Sequence, residues 1–301
     1  MFDLLGSISG YILWFFFDLL GNYGLAITFF AIIMNVLMFP LSIKRQKSMA
    51  KNSKLVLKQQ ALKKQYNKDP KKYNEEIAKL YQKEGSNPMS GCLPTLLLPL
   101  ILWGGIYAAI NKPLQNTLHI KKEKISLAIE IINSIPEFNN KITKNYEQLQ
   151  IVKFFPEIKE NLDMFSEKEM ENITEFSLGF DLLGLKLLNK PNESREFTSF
   201  LWLIPLLCFL SSAFSMYISQ KFSDVSQQNL ESCAAKYTPY IMFLFTGYLA
   251  YTMPAAVGLY WIINAILNTI QSIILNKYFN IYVLNAKDEY KRMKYLKLHK
   301  S

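Results

Sequence analysis

A basic segment with helical periodicity, enclosed by two long apolar runs, constrains this chain more than any other feature. Between Ser42 and Asn87 the chain carries 13 Lys or Arg residues against four Asp or Glu. The apolar runs on both sides are each long enough to cross a bilayer. Because loops rich in Lys and Arg stay on the cytoplasmic side, this segment predicts the orientation of the spans around it.

The composition indicates an all-α, polytopic integral membrane protein. Half of the 301 residues are hydrophobic and the mean hydropathy is above zero, yet the charges are gathered into a few blocks. A bilayer core of roughly 30 Å needs about 20 apolar residues in helical form. Five stretches satisfy this requirement, and the pair Met253-Pro254 separates the last two into a tight helical hairpin.

We therefore predict five transmembrane helices, an N-terminal interfacial helix and a cytoplasmic helical hairpin. The predicted boundaries are an outer interfacial helix at 1–21, a first span at 22–42, a basic cytoplasmic hairpin at 43–87, a second span at 88–110, an extracytoplasmic loop at 111–198, a third span at 199–219, a cytoplasmic loop at 220–237, a fourth span at 238–253, a fifth span at 256–276 and a basic cytoplasmic tail at 277–301.

The charge balance of the connections predicts the topology. The 43–87 hairpin carries a strong positive excess, residues 111–198 hold 12 basic and 14 acidic side chains, and the tail from Lys277 holds seven basic and two acidic ones. The positive-inside rule then puts the N-terminus outside and the C-terminus in the cytoplasm.

The first 20 residues are apolar but lack the basic start of a signal peptide. Asp3, Ser7, Gly10 and Asp18 form a thin polar stripe on an otherwise apolar helix. This pattern favours a helix that lies in the outer interface, and a sixth span is the alternative.

The basic segment itself reads as two antiparallel helices on either side of the breaker Asn67-Lys68-Asp69-Pro70. Leu55, Leu62 and Tyr66 form one narrow apolar stripe, and Tyr73, Ile77 and Leu80 form the other. The basic side chains fit either a solvated, orienting face beside anionic lipid or a contact with a partner such as the ribosome. The candidate recruitment residues are Lys44, Arg45, Lys47, Lys51, Lys54, Lys58, Lys63 and Lys64.

The predicted spans carry uncharged polar residues at helical spacing and no charged residue away from their ends. These residues are Thr28, Asn35 and Ser42 on the first span, Ser212, Ser215 and Ser219 on the third, and Asn264, Asn268 and Gln271 on the fifth. One explanation is hydrogen bonding between helices, which suits the serines. The other is a hydrated concavity for a polar segment of another chain, which suits Asn35 and the three amides of the fifth span.

Three ordered blocks resemble signature blocks of the YidC/Oxa-type membrane protein insertases. They are Phe39-Pro40-Leu41 leading into Gln46-Lys47-Ser48-Met49, then Leu80-Tyr81 before Asn87-Pro88-Met89-Ser90-Gly91-Cys92-Leu93-Pro94, and Pro254-Ala255-Ala256-Val257-Gly258-Leu259-Tyr260-Trp261 followed by Asn264 and Gln271. The resemblance covers about residues 1–110 and 176–276, and it is of the short form without a large N-terminal extracytoplasmic domain. Residues 115–175 have no counterpart in it.

The resemblance implies a membrane protein insertase and chaperone with a hydrophilic groove that opens to cytoplasm and lipid. The implied groove residues are Thr28, Asn35, Ser212, Ser215, Trp261, Asn264, Asn268 and Gln271. The implied partners are nascent membrane proteins and anionic lipids, with the ribosome and the Sec translocon as further candidates and no DNA. No nucleotide or other cofactor is expected, and no P-loop occurs in the sequence.

One position departs from the family pattern. Where the best-known members carry an Arg five residues before the Pro of the first block, this chain has Asn35. An amide can hydrogen-bond a substrate but cannot attract a carboxylate by charge, so an insertion mechanism based on that attraction does not transfer to this chain.

The alternatives come from other functional classes. A small-solute transporter or channel fits the spans but would ordinarily need intramembrane charge, inverted repeats or paired broken helices. An intramembrane enzyme would need a catalytic constellation, and neither the three cysteines nor His119 and His299 are spaced as a catalytic or metal site, so no enzyme is expected. Residues 118–175 fit either a small cap or a tolerated insertion.

Overall fold

The computed structural model describes residues 2–67, 69–83, 104–138, 146–193, 200–221 and 233–280, with positions 283–287, 289, 290 and 293. Helices dominate the described residues. They are α1 (Phe2–Leu20), α2 (Tyr23–Gln65), α3 (Pro70–Lys83), α4 (104–111), α5 (Pro113–Asn116), α6 (Lys122–Ser134), α7 (Glu147–Ile158), α8 (Glu167–Leu178), α9 (Leu203–Lys221), α10 (Cys233–Thr252) and α11 (Ala255–Tyr278). One antiparallel hairpin pairs β1 (Asp181–Leu182) with β2 (Leu185–Lys186).

Four of these helices, α1, α2, α9 and α11, are long and apolar enough to cross a membrane. Helix α10 adds a shorter apolar stretch, Tyr240–Thr252, and ends at the predicted Met253-Pro254 break. Most of the predicted second span, 88–110, lies outside the described residues, which resume at residue 104. The predicted all-α membrane class is confirmed.

The chain divides into two compact units, and the long helices contribute to both. Unit 1 contains Met1–Met34, Pro99–Ala213 and Tyr240–Ile266, and unit 2 contains Asn35–Leu98, Phe214–Pro239 and Leu267–Ser301. Each unit is described by itself below.

In unit 1 the described residues from Pro113 to Glu193 form a folded module, which we call the cap. Helices α6, α7 and α8 are amphipathic and turn their apolar faces inward, so their large apolar side chains leave water and stabilise the module. Its buried residues include Ile125, Ala128 and Ile132 from α6, Leu149, Ile151, Val152, Phe155 and Ile158 from α7, and Ile173 and Phe176 from α8. The cap thus contributes a packed helical core to unit 1.

Helix α1 uses its predicted polar stripe to contact the cap. The Asp3 carboxylate lies 3.1 Å from Lys112 Nζ and 3.6 Å from Lys122 Nζ. One turn on, Ser7 Oγ lies 3.4 Å from His119 Nδ1. The side of α1 opposite the buried Gly6, Gly10, Leu13 and Phe17 exposes large apolar side chains at helical spacing, namely Leu4, Ile8, Tyr11, Phe15 and Leu19.

An aromatic cluster joins α1, α2 and the cap where α1 turns into α2. The Tyr23 ring packs edge-on against Phe176 with centroids 4.9 Å apart, and it lies 4.5 Å from the Phe180 ring. Phe17 also packs edge-on against Phe176, at 5.2 Å. Such edge-to-face pairs add stability beyond the area that they bury. The cluster fixes the start of α2 against the cap.

In unit 2, α2 continues from the predicted first span into the first arm of the predicted hairpin without a break at residue 42. After Gln65 the chain turns, and the Asp69 carboxylate accepts a hydrogen bond of 3.1 Å from the Lys72 amide at the start of α3. Gln59 Nε2 then donates to Tyr81 Oη at 2.5 Å, which places α3 antiparallel alongside the end of α2. The described residues therefore form a helical hairpin, and no residue of α3 is buried.

Candidate functional site

The eight predicted groove residues lie on three long helices and are divided between the two units. Every one of them is partly exposed and partly buried. Thr28 of α2, Ser212 of α9, and Trp261 and Asn264 of α11 belong to unit 1, whereas Asn35, Ser215, Asn268 and Gln271 belong to unit 2. Whether the two sets face a common groove remains a prediction.

In unit 1, α2 buries one side and leaves Thr28 at the margin of the buried surface. Ala26, Ile27, Phe30 and Ala31 around it are almost inaccessible to solvent. The Thr28 hydroxyl donates to the Gly24 carbonyl at 2.8 Å, one turn earlier in the same helix. Because this bond uses its only proton, the hydroxyl can interact with a further group only as an acceptor.

Ser212 and Trp261 each lie about one helical turn after a close contact between α9 and α11. The buried Cys208 thiol donates to the Gly258 carbonyl at 3.2 Å, and a β-carbon on Gly258 would overlap the Ile204 side chain. Gly258 belongs to the third family-like block of the sequence. A glycine at this position lets the two backbones approach closely, as small residues do at interfaces between membrane helices.

In unit 2, the candidate residues contribute hydroxyl and amide groups without charge. Along α11, Asn268 lies four residues after Asn264, which belongs to unit 1, and Gln271 lies three residues after Asn268, so the three amides share one side of the helix. Buried Thr269 and exposed Ile270 lie between them and mark the two other sides of the helix. The amide row therefore lies between a packed side and an exposed apolar side.

The basic residues proposed for recruitment lie on the second half of α2. Lys44, Arg45, Lys47, Lys58, Lys63 and Lys64 are exposed. Lys51 and Lys54 are described only as part of the helix. The exposed cations alternate with half-buried residues such as Gln59 and Leu62, so they present a positive surface beside the contact with α3.

Backbone groups of the cap satisfy the first amides of two predicted spans. The Gly179 carbonyl accepts from the Tyr23 amide at 2.8 Å at the start of α2. The carbonyls of Asn189 and Leu187 accept from the amides of Ala255 and Ala256, at 2.9 and 3.0 Å, at the start of α11. The first amides of a helix have no partner within the helix, so these bonds tie both helix ends to the cap.

Sequence reasoning missed this segment, residues 179–190, because its contacts are made by backbone atoms. The turn residues Leu183 and Gly184 adopt positive φ values of 54° and 83°, but Leu-Gly is not among the dipeptides that signal a hairpin. The Met253-Pro254 break was the one signal in the sequence that bears on these contacts. It predicted where α11 begins, but not which groups accept hydrogen bonds from the first amides of α11.

His119 and Glu169 are among the residues of the cap whose pKa values are shifted. Burial lowers the pKa of His119, whose ring stacks on Tyr11 with centroids 3.6 Å apart. Burial alone would raise the pKa of Glu169, but hydrogen bonds from Lys124 and from Ser166 outweigh it and lower that pKa. Among the described residues no group of three His, Cys, Asp or Glu side chains is placed to hold a metal ion.

Comparison with known proteins gives a consistent result. The family model of the 60Kd inner membrane protein matches residues 15–282. A relative from Caldanaerobacter subterraneus subsp. tengcongensis, named membrane protein insertase YidC, is 43% identical over 94 residues, which are 31% of this chain and 46% of the relative. A protein of the same name from Rickettsia prowazekii is 28% identical over 268 residues, which are 88% of this chain and 37% of that protein.

The matched part is thus less than half the length of each of these relatives. The family match, in contrast, extends from within α1 to beyond α11 and includes the cap and all eight groove candidates. It also agrees with a fold of several apolar helices that suit a multi-pass protein of the bacterial plasma membrane. The chain belongs to the 60Kd inner membrane protein family.

Proposed function

We propose that this chain is a membrane protein insertase and chaperone that needs no nucleotide. The observation that carries the proposal is the family match over residues 15–282, within which three long apolar helices carry half-buried hydroxyl and amide groups. A polar flank of a nascent protein needs hydrogen-bond partners while its apolar span enters lipid. Burial of that span supplies about 25 cal/mol per Å² of apolar surface, so no chemical step is required.

In this proposal the groove is formed by Thr28, Asn35, Ser212, Ser215, Trp261, Asn264, Asn268 and Gln271. Side-chain amides both donate and accept hydrogen bonds. Asn35, Asn268 and Gln271 can therefore replace water around both the N–H groups and the carbonyl groups of a substrate backbone. Because Asn35 carries no charge, substrate selection here would depend on hydrogen bonding and hydration and would depend little on substrate carboxylates.

We further propose that α2 and α11 begin on the outer side of the membrane, so that the cap is extracytoplasmic and the α2–α3 hairpin is cytoplasmic. The positive excess of the hairpin and of the C-terminal tail supports this orientation. The hairpin would recruit substrate, the ribosome or the Sec translocon through Lys44, Arg45, Lys47 and their neighbours, and anionic lipid would bind the same face. Its unburied α3 suits a loosely attached receiving element.

We also propose that α1 lies in the outer interface and does not cross the membrane. Its Asp3 is engaged by Lys112 and Lys122, so the polar side of α1 contacts the cap. The exposed apolar side, from Leu4 to Leu19, then has the form of a helix that rests on lipid.

Reconstitution of the purified chain in liposomes tests the proposal. A small single-span or double-span protein should insert without ATP and without a membrane potential. Empty liposomes, and liposomes holding a heat-inactivated sample, control for spontaneous insertion. A solute-flux assay on the same vesicles tests the runner-up function, because a transporter or channel would pass solutes and leave the small protein outside.

A further inference from the structure

The β1–β2 hairpin of the cap is a rigid projection with a leucine at its tip. Asp181 pairs with Lys186 and Leu182 pairs with Leu185, which leaves Leu183 and Gly184 as the turn. The Asp181 carboxylate accepts a hydrogen bond of 2.9 Å from the Gly184 amide and so braces this turn. Leu183 is 95% exposed, the highest exposure among the large apolar residues that the structure describes.

The base of the hairpin is attached to the start of α2. Asn22 Nδ2 donates to the Asp181 carbonyl at 2.6 Å. Leu182 packs so closely on Gly24 that a β-carbon there would lie 2.8 Å from Leu182 Cδ2. Since the apolar stretch predicted to cross the bilayer starts at residue 22, these contacts place the hairpin at the interface end of that stretch.

Attachment to a second helix excludes a hairpin that swings away from the membrane. The strand that leaves the hairpin runs directly to Leu187 and Asn189, whose carbonyls accept from the first amides of α11. The hairpin is therefore held near the ends of two helices of unit 1, and its tip cannot move far from either.

Exposed apolar side chains also occur on the helix ends next to the hairpin. Leu178, just before the hairpin, is 72% exposed, and Leu19 at the end of α1 is 68% exposed. On α2, Leu25 and Phe29 are exposed one and five residues after Gly24, which contacts Leu182. Leu25 and Phe29 belong to a helix that is long and apolar enough to cross a membrane, so lipid is the occupant that suits the exposed leucines beside them.

We propose that Leu183, with Leu178, inserts into the leaflet that adjoins the N-terminal ends of α2 and α11. The hairpin would then be a membrane anchor that sets the depth of the cap, whichever side of the membrane the cap occupies. A protein partner fits the surface less well, because a stable protein interface buries on the order of 1,000 Å² and a single leucine at a two-residue turn offers far less. The proposal depends on membrane spanning and not on insertase activity.

Photocrosslinking of the full chain in vesicles tests the proposal. We would replace Leu183 with benzoylphenylalanine, which reacts with nearby C–H bonds and not with water, and reconstitute the variant in vesicles of phosphatidylethanolamine and phosphatidylglycerol. Intact-protein mass spectrometry after irradiation then counts adducts that carry one lipid. Matched variants carry the same group at Phe29, exposed on α2, and at Glu160, exposed on the cap.

We expect the variant at position 183 to give lipid adducts at a level within about twofold of position 29 and at least fivefold above position 160. A yield at 183 no higher than at 160 would overturn the proposal, because the tip would then lie in water. A crosslinked dimer in place of the lipid adduct would overturn it as well and would identify a second copy as the occupant. Thermal unfolding of the three variants establishes that each is folded before irradiation.

Discussion

Gly10 of α1 lies directly against the backbone carbonyl of Asn116, so close that a β-carbon at position 10 would overlap the carbonyl carbon and oxygen. Gly6, one turn earlier, likewise faces the Asn116 side chain and Ala108. The side-chain amide of Asn116 in turn donates a hydrogen bond of 2.8 Å to the Ala108 carbonyl. The two glycines thus form a notch into which α5 fits, and this notch positions α1 on the cap.

The notch predicts that Gly10→Ala destabilises the chain. Alanine normally favours a helix over glycine by about 1 kcal/mol, but overlap with a backbone atom costs roughly 1–3 kcal/mol because neither helix can yield without moving. The matched control is Gly247→Ala on α10, where a β-carbon would meet its nearest atom at 3.3 Å. Thermal unfolding in detergent should show a much larger fall in Tm for Gly10→Ala than for Gly247→Ala. Equal behaviour of both variants would contradict the packing described for Gly10.

A second prediction concerns Glu169, which completes a capping box with Ser166 and contacts Lys124 at 2.5 Å. Its pKa is lower in the folded state than in the unfolded state, so its contribution is present above the unfolded pKa and disappears as pH falls through the folded pKa. Glu169→Gln keeps the capping box but loses the charge that pairs with Lys124, so it should lower the stability of the cap at pH 7 by about 0.2–1 kcal/mol.

The measurement is the Tm of both proteins as a function of pH, with Glu171→Gln on the exposed side of α8 as the control. The gap between the parent and Glu169→Gln should be widest near neutral pH and should close as the pH falls through the lowered pKa of Glu169 in the folded state. A gap that is constant with pH would mean that shape alone, and not ionisation, accounts for the effect of Glu169.

The helices of this fold could be predicted from the sequence, whereas the role of the cap could not. The Asn67–Pro70 breaker and the Met253-Pro254 pair predicted the two helix breaks, because proline and turn residues act locally. The polar stripe of α1 was also correctly located, but its partners were not. Asp3 finds Lys112 and Lys122 more than 100 residues away, and Tyr23 and Ala255 receive their hydrogen bonds from backbone carbonyls. No residue pattern encodes such contacts.

The predicted topology is testable with single cysteines in a chain whose native cysteines are replaced. We expect cysteines at Gln65 and Tyr290 to be shielded from a membrane-impermeant thiol reagent in intact cells, and a cysteine at Glu160 to be labelled. All three positions are exposed, whereas Gln150 elsewhere in the cap is buried and unsuitable. Permeabilised cells, in which all three should react, provide the control. Labelling at position 65 from outside would overturn the orientation.

The α2–α3 hairpin is predicted to receive substrate. Deletion of residues 51–83, bridged by a short Gly/Ser linker, should leave the apolar helices folded and reduce the insertion rate in liposomes. A second variant that keeps the hairpin but changes Lys58, Lys63, Lys64, Lys71, Lys72 and Lys79 to Gln separates charge from shape. If the deletion variant inserts substrate at the full rate, the hairpin serves only to orient the protein through its charge and does not receive substrate.

Asn35 provides the sharpest test of the hydrated groove, because its neighbour Val36 is 66% exposed on the same helix. If position 35 faces water inside the protein, Asn35→Arg should fold with little loss of stability. Val36→Arg should lose several kcal/mol, since a guanidinium toward the middle of a bilayer costs roughly 2.5–3.5 kcal/mol or more. Asn35→Leu should also fold, but it should slow insertion because it dries the groove and removes an amide that substrate can use.

Thermal stability and insertion rate are measured for all three variants. If Arg destabilises equally at both positions, and Asn35→Leu stabilises the chain without affecting insertion, then Asn35 is a packing residue between helices and the groove does not include it.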